Sequence, residues 1–216
     1  MIRAYQFNDL PAALVLWVIV YLCDYFLTIH GNSLRLKYAK DHIGMDGSYE
    51  LNPYYQKDID TNNRLSRRFI LMLVLFIVWL ILMWYCANIL KVPEVFSAAT
   101  GYLILMELPI LERHIQNISQ FNAMKTPGAV VGYITYARWI QLALVGHIFG
   151  YWLIAYLLLF LLTGSWLFIG GSVAMLGLVI RYSSRGQRLR DRSPAVQLPK
   201  DAPPLTVEPT TNARAS

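Results

Sequence analysis

Residues 69–90 form a run of about 22 positions without a single Asp, Glu, Lys, Arg or His. A helix on the surface of a water-soluble protein is not apolar all round, and a helix rising 1.5 Å per residue needs about 20 residues to cross ~30 Å of hydrocarbon. The run therefore predicts a membrane span. Residues 10–29 form a second one, with Asn8 or Asp9 able to cap it and Pro11 in the first turn, where a missing N–H costs little. No small-residue cleavage site follows, so this segment reads as a retained span rather than a signal core. After the Lys91-Val92-Pro93 break, residues 94–111 return through the bilayer, and Ser97, Ala98, Ala99 and Gly101 offer a neighbour close backbone contact. Residues 139–162 are the fourth span. Thr163-Gly164-Ser165 is short enough to force an antiparallel hairpin, and residues 165–182 are its returning leg. That leg has about 15 residues before Arg181, so it spans only if Arg181 and Tyr182 snorkel and Ser165 joins the helix; a re-entrant hairpin is the competing reading.

The expectation is an all-α, polytopic transmembrane bundle of about five spans over residues 1–182, with a loop at 31–68 and a basic, then disordered, tail at 183–216. A hydrophobic content of 56% supports it, being above the 45–50% or so usual in soluble domains. Placing the N-terminus outside leaves only Arg3 and Lys91 of the 19 basic residues on the outer side. Cytoplasmic loops carry the excess of Lys and Arg, and one missed span would invert everything after it, so span count and orientation support each other. The net charge of +6 then suits anionic lipid, and no nucleic-acid module holds the basic residues. Cys23 and Cys86 each lie in an apolar run and read as free thiols, not as a disulfide or a cysteine metal site.

Polar residues inside the spans point to a site. Asp24 lies within the first span, where a charge costs roughly 2.5–3.5 kcal/mol, and Tyr21 and Thr28 share its helical face. Glu107 precedes Pro109, whose ring leaves the carbonyl of Leu105 without its helical donor. On the same face follow His114, Asn117 and Gln120. Arg113 is positioned to pair with Asp24 or Glu50. In the loop, Glu50-Leu51-Asn52-Pro53 reads as the start of a short helix capped by Asn52. His147, in the fourth span, reads as a neutral imidazole bonded to a neighbour rather than a ligand or relay.

Asp24 with Thr28, then Glu50-Leu51-Asn52-Pro53, then Arg113-His114 with Asn117, the Leu162-Thr163-Gly164-Ser165 turn and Gly170-Gly171 form a pattern. It resembles uncharacterised bacterial multi-pass membrane proteins of the domain-of-unknown-function type, over most of residues 20–182. The resemblance implies a bacterial inner-membrane location and supplies no activity.

Two functional classes are open. In the first, Asp24, Thr28, Glu50, Asn52, Glu107, Arg113 and His114 converge near the cytoplasmic leaflet as an ion or proton site, or as a structural assembly core. In the second, Asp24, Glu50, Glu107 and His114 bind a divalent metal such as Zn, Mn or Fe in an intramembrane hydrolase or transferase. The second lacks an H-E-x-x-H helix, a G-x-S-x-G elbow and a Gly-rich phosphate cradle. The expected partners are the bilayer and a second copy or another membrane protein, since Gly170, Ala174 and Gly177 permit close packing within or between chains.

Overall fold

Asp9 accepts a hydrogen bond from the Ala12 N–H (3.0 Å) and so starts α1 (Leu10–Leu34), with a proline in its first turn. A computed structural model describes residues 6–45, 48–61 and 66–192. The chain continues with a π-helical turn (Arg35–Ala39), β1 (Ile43–Met45), α2 (Gln56–Asp60), α3 (Arg67–Leu90), α4 (Pro93–Ala123), β2 (Ile134–Tyr136), α5 (Arg138–Thr163) and α6 (Trp166–Arg192). Five of these helices are long and apolar enough to cross a membrane, so the molecule is an all-α, multi-pass membrane protein.

The sharp breaks between spans have local causes. Lys91 turns left-handed after α3 (φ 57°), and Pro93 opens α4 immediately afterwards. Gly164 closes α5 in the same conformation (φ 66°), which glycine adopts without a Cβ penalty. α5 and α6 then pack as a long antiparallel hairpin.

α4 is the central helix, in contact with α1 and α3 on one side and α6 on the other. Its closest approach is to α6. A Cβ on Gly101 would collide with the carbonyl oxygen of Leu167, and one on Gly170 with that of Ala98. Gly171 and Ala174 are buried in the same seam, whereas Gly177 faces open space. α3 buries only Phe69, Leu80 and Ala87, as expected of a helix whose surroundings are lipid rather than protein. At its first turn, Phe69 stacks on Tyr21 and Tyr25 (ring centroids 4.8 and 4.1 Å), which ties α3 to α1.

Several boundaries differ from expectation. The loop expected at 31–68 begins later, because α1 and its π turn run on to Ala39; buried Asn32 holds this extension by donating to the Ile59 carbonyl (3.0 Å). The basic segment expected in the tail is helical to Arg192, packed on α5 through buried Gly186, while residues 193–216 lie outside those described. At 27 residues, α6 is about 40 Å long and needs no re-entrant turn. Asn52 caps a turn rather than a helix: its Oδ1 accepts from Tyr54 N (3.2 Å), and α2 starts only at Gln56. The short parallel pair of β1 with β2, Ile43 opposite Ile134, joins the two loops at one end of the bundle.

Candidate functional site

At the loop-bearing end of the α1–α4 interface, the polar face read from the sequence meets a partner. Thr28 Oγ donates to the Asp24 carbonyl one turn back (2.8 Å), so its hydrogen is committed. His114 Nε2 lies 3.0 Å from the same Oγ, which therefore accepts, and this assigns the hydrogen of the imidazole to Nε2. Asp24 Oδ1 stands at ion-pair distance from Nε2 (3.0 Å) without a hydrogen bond of its own. His114 Nδ1 is also buried and unpartnered. The imidazole is thus fixed at one nitrogen and open at the other.

Glu107 lies seven residues before His114 on α4, two turns or about 10 Å further from the loop-bearing end. It is 4% exposed, within electrostatic range of Asp24 and Glu50, and its Oε2 has no hydrogen-bond partner. Glu107 Oε2 and His114 Nδ1 are therefore buried without a hydrogen-bond partner, against the usual rule that such atoms are satisfied, and Asp24 Oδ1 has only the ion-pair contact with His114.

The loop roofs the site. Tyr21 and Tyr55 share a hydrogen bond (2.8 Å), and a cavity of roughly 20 Å³, the room one water needs, is lined by both with Asp24, Thr28 and Glu50. Glu50 Oε1 accepts from the Asn52 N–H (2.5 Å). Burial pushes the Glu50 carboxyl above its ordinary range, against the opposing pull of the Asn52 hydrogen bond and the Arg113 guanidinium. The Tyr55 hydroxyl is likewise pushed up to about 12 by burial. Arg138, at the start of α5, holds this loop by donating to the carbonyls of Ser48 and Glu50 (2.9 Å to the latter), and Arg185 of α6 donates to that of Leu51 (3.3 Å).

The seven residues singled out in the sequence thus divide. Asp24, Thr28 and His114 are in direct contact, Glu107 lies deeper along the same interface, and Glu50 and Asn52 form the roof. Arg113 does not pair with Asp24 or Glu50. Adjacent helical positions lie about 100° apart, so while His114 faces α1, Arg113 lines a groove toward α5. Among the described residues, no three His, Cys, Asp or Glu side chains are placed to hold a metal ion. Among the described residues, His147 is not bonded to a neighbour as expected; it is exposed and also lines the α5 groove. Cys23 and Cys86 are free.

Tyr55, Arg138, Arg185 and Asn32 escaped the sequence reading. Tyr55 carried a signal in its position just beyond Glu50-Leu51-Asn52-Pro53. The two arginines did not, since each could equally be a cation flanking a span. No family model matches the chain, and neither does any curated protein or solved structure.

Proposed function

We propose that this membrane protein binds and releases a proton at the Asp24–His114 pair, with Glu107 as a second protonatable group deeper in the bilayer and Glu50 at the mouth. The observation that carries this reading is the buried contact of Asp24 Oδ1 with His114 Nε2 together with Glu107 Oε2 and His114 Nδ1, which have no hydrogen-bond partner, along one helix interface. Acids within a membrane span are costly, and proton relays are a recurrent reason for them. A proton needs no ligand shell, which suits a site whose acids and histidine do not converge on one point. In this reading Glu50 and Tyr55 face the cytoplasm, the side to which the excess of Lys and Arg assigns the loop, and the membrane is a bacterial inner membrane.

Infrared pH-difference spectroscopy on the reconstituted protein tests the proposal. Carboxyl bands should change between acidic and alkaline buffer, Asp24→Asn and Glu107→Gln should each delete one, and His114→Gln should alter the one that Asp24→Asn deletes. If Asp24→Asn and Glu107→Gln both leave the titrating bands unchanged, the cluster is a structural core and the proposal fails.

A further inference from the structure

Around α4 from the acids lies a larger cavity, about 550 Å³, between α4 and α5; Asn117 and Gln120, expected on the face of His114, line it. These two helices barely touch, because α6 packs against both. The α5 wall carries Leu144, Val145 and Ile148 with His147 among them, and the α4 wall carries Arg113 and Gln120. None of Arg113, Gln120 and His147 makes a side-chain hydrogen bond among the described residues, and Arg113 Nε is buried without a partner. No carboxylate is among the described lining residues. Of the acids beside Arg113, Glu112 already accepts from Gln116 and Trp152 (both 3.0 Å), and Glu50 faces the other cavity.

We propose that this groove binds the headgroup of an anionic glycerophospholipid, with Arg113 as its phosphate contact. Three observations converge on that occupant. The volume is within the range of about 300–1,000 Å³ typical of ligand pockets. A guanidinium with unused donors, in a lining without acids, is complementary to a phosphodiester. Finally, Arg113 stands where the apolar stretch of α4 ends, the depth at which lipid phosphates lie, and Leu144 and Tyr151 leave the groove exposed at 53% and 73% of their surfaces. Acyl chains would then run along the apolar side chains of the α5 wall into the bilayer. The inference is independent of the proton site, since it rests on a different face of α4.

Native mass spectrometry of the full chain in detergent, titrated with phosphatidylglycerol and with phosphatidylcholine, tests it. The protein should prefer phosphatidylglycerol by about fivefold, the effect of one cation near an anionic headgroup. Arg113→Gln should bring the ratio close to one. Arg188→Ala, which removes the same charge from an exposed site on α6, should leave it unchanged. Leu144→Trp should weaken binding by filling the groove with Arg113 intact. The proposal is overturned if Arg113→Gln retains the preference, if Arg188→Ala lowers it equally, or if inorganic phosphate displaces the lipid as well as phosphatidylglycerol does.

Discussion

The hydroxyl of Tyr156 on α5 donates to the carbonyl of Leu105 on α4, 2.8 Å away, and Leu105 is the residue four before Pro109. A proline inside a span leaves the carbonyl one turn earlier without its donor. In hydrocarbon no water can replace it, and here a neighbouring helix supplies the hydrogen. The freed carbonyl thus becomes a fastening between helices that otherwise scarcely meet.

Tyr156→Phe should destabilise the protein by about 1–2 kcal/mol, the cost of an unsatisfied buried acceptor moderated by the membrane setting. Pro109→Ala restores a backbone donor to Leu105, so Tyr156→Phe should cost markedly less in that background. Equilibrium unfolding of the two single variants and the double variant measures the coupling. Additive costs would mean that the hydroxyl does not serve the freed carbonyl.

Gly101→Ala should be severely destabilising, by about 3 kcal/mol or more, since the new methyl meets the backbone carbonyl of Leu167, which cannot move without separating α4 from α6. Gly177→Ala has nothing within 4 Å of the new methyl and should be neutral or stabilising by up to about 1 kcal/mol. Thermal denaturation in detergent separates the two outcomes.

Arg138→Ala removes two charged hydrogen bonds that hold the loop over the proposed site. The expected cost is about 2 kcal/mol, expressed locally. Hydrogen exchange should accelerate at Glu50 to Tyr55 and remain unchanged in the α4–α6 seam.

Glu50 gives a pH dependence whose sign follows from its environment. Burial raises its folded pKa above the unfolded value of about 4.3. Between those two values the folded state binds more protons than the unfolded one, so stability falls as pH rises through the window and stays lower above it. Glu50→Gln keeps an oxygen to accept from Asn52 and removes the charge. It should be more stable than the parent at neutral pH and equal to it well below pH 4, as melting temperatures at the two pH values will show.

The spans were legible because each is long, apolar and separated by turn residues. Asp24, Thr28 and His114 were legible because polar groups inside such runs need partners. Helix ends were harder: Arg35 and Lys37 look like loop residues, and only the tertiary bond from Asn32 to Ile59 explains why α1 continues past them. The β1–β2 pair joins strands of three residues from distant parts of the chain, too short to carry a period. Arg113 has the depth expected for pairing with Asp24 or Glu50, but depth does not fix rotation, and it lines a different face of α4 from its neighbour His114.

Tyr49 and Leu51 line the groove, whereas Glu50 between them lines the acid cavity. A single stretch of backbone thus serves as a shared wall, fastened through its own carbonyls by Arg138 and Arg185. A shift of that wall toward α5 would enlarge the acid chamber and narrow the groove, so movement of this one segment is felt in both compartments.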